Sequence, residues 1–356
     1  MLSIMKIIFV VPNFACGGAE RVSVTFAKQL MRAGDQVEFV NIGNGAGAMR
    51  QWLEVYDIPF VCLNRRHVMW SWQPLWLYLR RERPTYVYSS WRHVSIVLLL
   101  LGYVLPFRVI VREPTMPSNQ LGRTGWKQRV LRKLMRCLYK RAYRIIAQTP
   151  EMKQEIMVHY RVSTTKVCVI FNPIDEDLIR QQLHGENPFR TRGVNYLAVG
   201  NLTYAKAYDV LVQAFALVLQ EQPEAHLYIV GRTDIAGADK IQNMAESCEH
   251  HIHFEGFRSN PYVYMANCSV FVLSSRMEGC PNALLEACYL KKRVVATRCV
   301  PIVDQLVQDG VNGYLVGIDD SVALARALVK ASELPEAFDA YLGRHIAMQS
   351  NILAAL

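Results

Sequence analysis

"CSVFVLSSRMEGCPNALLEACYLKKRVVAT", residues 268–297, decides how the chain is read. Its first eight residues are an apolar, β-branched run of strand length, "RMEGCPN" carries Gly/Pro turn chemistry, "ALLEACYLK" begins a helical period, and "RVVAT" is a second strand. Strands that are apolar on both faces and separated by helices imply a parallel sheet with right-handed crossovers.

The same alternation extends both ways. Toward the N-terminus, "VNYLAVG" (194–200), "HLYIVG" (226–231) and "HIHFEG" (251–256) read as strands, and "GYLVG" (313–317) follows on the C-terminal side. An earlier set comprises "KIIFVV" (6–11), "VEFVNI" (37–42), "FVCL" (60–63), "YVYSS" (86–90), "RVIVRE" (108–113) and "RIIAQT" (144–149). After the first of these, "AERVSVTFAKQLMRAG" places Val22, Phe26, Leu30 and Met31 on one helix face and stops at Gly34. Between the two sets, "NPIDEDLIRQQLHGENPFRTRG" (172–193) is rich in Pro, Gly and charge and reads as a linker. The expected architecture is α/β: two doubly wound Rossmann-like domains facing across a cleft, residues 1–171 and 194–335, with a C-terminal helix over 336–356. Ligands are expected at the carboxyl ends of the strands.

Composition agrees. A chain of 356 residues with 51% hydrophobic and 10% aromatic residues suits two ordinary cores. The nine cysteines form no CxxC pair and read as reduced thiols of a cytoplasmic protein, with no metal site. No basic n-region, apolar h-region and cleavage site precede the first strand. Net charge is +10 but uneven: residues 1–170 hold 25 Lys+Arg and 9 Asp+Glu. Such asymmetry points to an anionic partner for that half. The longest apolar run, "VSIVLLLLGYVLPF" (94–107), is short of the roughly 20 residues a spanning helix needs and reads as a core helix.

Three features could carry chemistry. Glu278 lies in the loop after a strand and Glu286 within the following helix, so both carboxylates either face water and the helix dipole or grip a polar ligand. Between them, the amides of Gly279, Cys280, Asn282 and Ala283 approach a helix N-terminus, which favours an anion. A sugar nucleotide, with hydroxyls at both ends of a diphosphate, would satisfy that arrangement. Lys206, after "YLAVG", is placed either for a diphosphate or as a solvated surface Lys. Gly17 and Gly18, in "VVPNFACGGAERV", permit close backbone approach or simply a tight turn.

"GGAERV", "IFNPID", "VGNLTYAKAYDVLVQAF" and "SSRMEGCPNALLEA" together resemble the retaining, nucleotide-sugar-dependent glycosyltransferases of family 4, which have the GT-B fold; the likeness covers roughly residues 6–330. The resemblance implies that Glu278 contacts the donor sugar, Glu286 binds ribose hydroxyls, and Gly279, Cys280, Pro281, Asn282, Ala283 and Leu284 offer main-chain contacts. It implies that Lys206 neutralises the leaving diphosphate, that the Gly17-Gly18 loop closes over it, and that Phe257 and Arg258 lie near the base. A UDP- or GDP-sugar would be the donor and no cofactor or metal would be needed. The pattern departs from the family at Asn201, where Arg is common, leaving Arg276 or Arg258 to assist Lys206. It departs also at Ala207, where Gly is usual, and at Pro114, where relatives carry His. His93, in "SSWRHVS", is then either an acceptor-side residue or a structural one.

From Glu113 to Glu151 no acidic residue intervenes, while Arg123, Lys127, Arg129, Arg132, Lys133, Arg136, Lys140, Arg141 and Arg144 alternate with Trp126, Val130, Leu131, Leu134, Leu138 and Tyr139. A basic amphipathic helix of this kind suits an anionic membrane surface. Enzymes resembling this one often glycosylate lipid-linked or polysaccharide acceptors, so peripheral association with the inner face of the cytoplasmic membrane is expected. No RRM, KH or helix-turn-helix signature supports nucleic acid. The rivals are a nucleotide-sugar epimerase on the same fold and a basic RNA-binding protein without catalysis. "GNGAGA" (43–48) superficially fits a dinucleotide fingerprint, but without an expected helix opening or a following acidic residue.

Overall fold

The structure is a computed structural model that describes residues 4–15, 17–118, 126–191 and 193–335. The expected C-terminal helix over 336–356 lies outside the described residues. The chain divides into two compact units that part between Pro173 and Ile174.

The first unit runs β1 (Lys6–Val11), α1 (Gly18–Arg32), β2 (Gln36–Asn41), α2 (Ala48–Val55), β3 (Phe60–Cys62), α3 (Trp72–Glu82), β4 (Tyr86–Ser89), α4 (Arg92–Leu101), β5 (Arg108–Arg112), α5 (Trp126–Leu138), β6 (Arg144–Ala147), α6 (Pro150–Tyr160) and β7 (Val167–Val169). Its seven strands lie in the order β3-β2-β1-β4-β5-β6-β7, with every pairing parallel. Phe9 stacks on Phe39 at 4.9 Å and packs at a tilt against Tyr88 at 4.5 Å, joining β2, β1 and β4 on one face. α1 ends at Ala33, and Gly34 follows with φ +94°, the left-handed residue expected from the sequence.

The second unit runs α7 (Glu176–Gln182), β8 (Asn195–Val199), α8 (Tyr208–Glu221), β9 (His226–Val230), α9 (Ala238–Met244), β10 (Ile252–Gly256), α10 (Tyr262–Asn267), β11 (Val270–Leu273), α11 (Asn282–Tyr289), β12 (Arg293–Thr297), α12 (Val303–Leu306), β13 (Gly313–Val316) and α13 (Ser321–Glu333). Its strand order is β10-β9-β8-β11-β12-β13, again all parallel. Tyr196, Leu211, Phe215 and Leu328 are fully buried in its core.

Three details differ from the sequence expectations. β7 was not foreseen; it is three residues long and completes the edge beside β6. The stretch expected as a linker contains α7, whose cap is the Asp175 carboxylate accepting from the Leu178 amide at 3.2 Å, with Glu176 and Asp177 in its first turn. The acidic cluster there serves a helix N-terminus. A helix also opens at Ala48, directly after "GNGAG", contrary to the reading of that segment.

Candidate functional site

In the second sheet the crossovers from β8 pass outward to β9 and β10, and the chain then returns to place β11 on the other side of β8. The strand order reverses between β8 and β11, so their connections diverge and open a crevice at the carboxyl ends. Lys206 follows β8 and Glu278 follows β11. They meet there, with Lys206 Nζ 2.7 Å from Glu278 Oε1, and side chains 23% and 15% exposed. Ser275 Oγ donates to the same oxygen at 2.7 Å.

Both loops are held by the sheet. Ser274 Oγ donates to the Lys206 carbonyl at 2.8 Å, and Thr297 Oγ1, at the end of β12, donates to the Ser275 carbonyl at 2.5 Å. The Lys206 stem runs over Gly200, where an added Cβ would lie 2.8 Å from Lys206 Cε. The β8 and β9 ends approach so closely that a Cβ on Gly231 would lie 1.9 Å from the Gly200 carbonyl oxygen. Ala207, fully buried, has φ +50° and ψ 41°. A left-handed residue is therefore required after Lys206, which is the physical reason glycine suits that position.

Glu286 lies one turn inside α11, is 9% exposed, and accepts from Tyr262 Oη at 3.1 Å. Its carboxylate thus does not simply face water. Tyr262 opens α10 and had no distinguishing sequence signal. Of the main chain between the two carboxylates, the Leu284 amide is already donated to the Pro281 carbonyl at 3.1 Å, as is that of Leu285. Cys280 is buried, and Pro281 precedes the helix with φ −78°. Nearby Cys299 has its thiol pushed up to about 12, by burial first and then by the Glu278 charge.

The other expected cations are engaged elsewhere. Arg276 donates from Nη1 and Nη2 to Asp209 at 3.0 and 2.7 Å, from Nε to Asp319 at 2.6 Å, and from Nη1 to the Tyr204 carbonyl at 3.0 Å. It ties the loop after β11 to the segment after β8, the first turn of α8 and the loop after β13, so a diphosphate would compete with these partners for it. Arg258 pairs with Glu255 at 2.7 Å, and Phe257 beside it is 44% exposed. Asn201 Oδ1 accepts from the Arg232 amide at 3.1 Å, tying the β8 end to the β9 end. That bond sets Arg232, which the sequence reading passed over, beside the crevice; its guanidinium meets Asp234 at 2.9 Å.

In the first unit, Gly17 caps α1 with extended backbone and Gly18 begins it. Glu20, one turn in, is 7% exposed, and burial raises its carboxyl above the ordinary range against the opposing charge of Arg112. His93 is exposed in the first turn of α4. Next to it Arg92 Nη2 donates at 2.7 Å to the fully buried Glu113, which also accepts from Tyr139 Oη at 2.5 Å. On α5, Arg129, Val130, Lys133, Leu134 and Cys137 are exposed, followed by Lys140 and Arg141, while Met135, Leu138 and Tyr139 pack inward. Arg132 is half-buried, and Arg136 turns inward to the His159 carbonyl at 2.8 Å. The side chains of Trp126 and Lys127 lie outside the described residues. Among the described residues no helix is long and apolar enough to cross a membrane, and no group of three His, Cys, Asp or Glu could hold a metal.

The family model "Glycosyltransferase Family 4" matches residues 16–178, and "Glycosyl transferases group 1" matches residues 193–333. An uncharacterized glycosyltransferase of Methanocaldococcus jannaschii is 29% identical over 188 residues, 49% of this chain and 45% of that protein. A Campylobacter jejuni enzyme named N-acetylgalactosamine-N,N'-diacetylbacillosaminyl-diphospho-undecaprenol 4-alpha-N-acetylgalactosaminyltransferase is 26% identical over 225 residues, 62% of this chain and 59% of its own. The chain thus spans about half the length of these two relatives. Among solved structures, Anabaena HepE in complex with UDP and glucose superposes with a TM-score of 0.79 at 20% identity, covering 99% of this chain and 100% of that one. With both family models matched in chain order and the strand order of two doubly wound sheets, the chain belongs to the family 4 glycosyltransferases and has their GT-B fold.

Proposed function

We propose that this glycosyltransferase moves a sugar, with retained anomeric configuration, from a UDP- or GDP-sugar to a lipid-linked glycan acceptor in cell-surface glycan assembly. The observation that carries the reading is the meeting of Lys206 and Glu278 at 2.7 Å where the second sheet reverses its strand order. In transfer, the bond from the anomeric carbon to the nucleoside diphosphate breaks, the acceptor oxygen bonds to that carbon, and the acceptor proton passes to a phosphate oxygen of the leaving group. The barrier lies chiefly in the charge developing on that leaving group. Lys206 is the cation for it: an incoming diphosphate exchanges with the Glu278 carboxylate, which is released toward the sugar. Glu286 holds ribose hydroxyls, with Tyr262 fixing its carboxylate. No metal enters this scheme, because protein cations and main-chain amides meet the phosphate charge.

The diphospho-undecaprenol in the C. jejuni enzyme's name supports a lipid-linked acceptor. Association with an anionic membrane surface is supported by the cationic exposed face of α5, and also by Met69, Trp70 and Trp72, which are 72%, 74% and 55% exposed. Exposed aromatic and apolar clusters of this kind mark interaction surfaces. A thermal-shift series with UDP-, GDP- and ADP-sugars tests the reading, since a ligand of the native state raises the melting temperature by mass action. A rise with one nucleotide series, abolished in Glu286→Ala, is the expected result; no rise with any would overturn it. Product analysis with the stabilising donor then separates transfer from epimerisation.

A further inference from the structure

A cavity of about 480 Å³ opens at the amino-terminal edge of the first sheet, where β5 and β6 begin, at the end of the sheet opposite the strands' carboxyl ends. Four cations line it: Arg108, Arg141, Arg144 and Lys166. Among the described residues none of the four has a carboxylate within ion-pair distance. Their contacts are neutral: Arg108 Nη1 donates to Tyr86 Oη at 3.4 Å, Arg144 Nη1 to the Thr165 carbonyl at 2.8 Å, and Lys166 Nζ to the Ala142 carbonyl at 2.8 Å. Arg141 rests on the Tyr103 ring at 3.7 Å and Arg108 on Tyr143 at 4.9 Å. Aromatic faces orient these guanidiniums without neutralising them, so most of their forked donors stay available for an anion.

Leu99, Phe107 and Val109 give it an apolar wall, and Gly102, Ala142, Tyr143 and Thr165 complete the lining. Between Leu99 and Phe107 the chain exposes Leu100, Tyr103 and Val104, at 48%, 57% and 68%. From the other side, the exposed cations of α5 lead through Lys140 to Arg141 itself. A cationic rim, an apolar wall and an apolar lip match a molecule with a phosphate at one end and hydrocarbon beginning at the other.

We infer that this cavity binds the phosphate headgroup of an anionic membrane lipid, giving the peripheral association proposed above a discrete lipid site; it rests on that reading. Inorganic phosphate shares the rim chemistry but has no use for the apolar wall or for the exposed Leu100, Tyr103 and Val104.

The test is co-sedimentation of the full chain with phosphatidylcholine vesicles, with and without phosphatidylglycerol. Wild type is expected to bind only the anionic vesicles, and Arg141→Gln/Arg144→Gln to bind them about thirtyfold more weakly. Transfer to a water-soluble acceptor should be unchanged in that variant, which confirms that it folds. Arg141→Lys keeps the charge but loses the fork, so it too should bind more weakly; binding equal to wild type would mean diffuse attraction and overturn the site. Loss of vesicle binding in Lys133→Glu but not in the cavity variants would overturn the cavity while leaving membrane association standing. No binding by wild type would remove both. Equal stabilisation of wild type and the double variant by inorganic phosphate places anion binding elsewhere, and an effect of the cavity variants on RNA binding alone would assign the cations to nucleic acid; either overturns the inference.

Discussion

Lys206 Nζ and Glu278 Oε1 stand 2.7 Å apart although 72 residues separate them, and they come from the two strand ends that flank the strand-order reversal. If the lysine serves the leaving diphosphate, its loss removes stabilisation felt mainly as the bond breaks. Lys206→Ala should lower kcat about 100-fold or more, the usual scale for one electrostatic group at a reacting centre. Steady-state transfer assays check it, and a change confined to KM would assign Lys206 to ground-state binding.

Glu286 makes the complementary case. Glu286→Gln keeps an acceptor for Tyr262 Oη but removes the charge proposed to receive ribose hydroxyls. Hydrogen bonds to charged groups contribute about 1.5–3 kcal/mol, so donor KM should rise roughly ten- to hundredfold with kcat little altered. An unchanged KM would reduce Glu286 to a packing role.

Arg276 should behave differently. It is 10% exposed and bound to two carboxylates and a carbonyl. Burial disfavours the Asp209 charge, but the hydrogen bonds and charge of Arg276 outweigh this and hold that carboxyl below its ordinary value. Arg276→Ala should therefore cost about 1–3 kcal/mol of stability in urea titration, the range for losing charged hydrogen bonds. Donor KM, measured well below the melting temperature, should shift less than in Glu286→Gln.

How far the sequence reached is clearest from these residues. Alternation of apolar runs and helical periods located twelve strands, because strands buried on both faces leave an uninterrupted signature. β7 escaped because three residues carry no period, and α7 because caps and charges look like linker composition. At the site, Lys206 and Glu278 were legible from their positions after strands. Their mutual contact, the Tyr262 partner of Glu286 and the pairing of Arg276 with Asp209 and Asp319 depend on side chains far apart in sequence meeting in three dimensions. The left-handed turn at Ala207 was signalled only by the glycine usual at that position in the resembled family, because alanine itself does not advertise positive φ.

In the first unit, Arg92→Ala would strand the fully buried Glu113 carboxylate with Tyr139 alone among its described side-chain partners. Removing one member of such a pair costs about 3–5 kcal/mol. A corresponding fall in the denaturation midpoint is expected, partly restored in Arg92→Lys; a loss below about 1 kcal/mol, the scale of an exposed pair, would contradict the burial argument.

His226 Nδ1 and His253 Nε2 lie 3.0 Å apart, and burial, reinforced for His226 by its histidine neighbours, holds both rings below the ordinary histidine value. The unfolded chain therefore binds more protons than the folded one once pH drops below about 6.5, and stability is lost as pH falls through the lowered folded values. Melting temperature should decline from about pH 7.5 to about pH 5.5, less steeply in His226→Gln/His253→Gln. Parallel profiles would mean that other groups set the slope.

The exposed thiol at position 137 offers a practical return on the way α5 packs. Cys268 and Cys288 have thiols pushed up to about 12 by burial, as does Cys299, and so are poor nucleophiles at neutral pH. Among the described cysteines, alkylation should accordingly favour Cys137, midway along the basic face. An environment-sensitive dye attached there would report arrival at a bilayer through its emission, in the same cuvette where donor consumption is followed, with no engineered label.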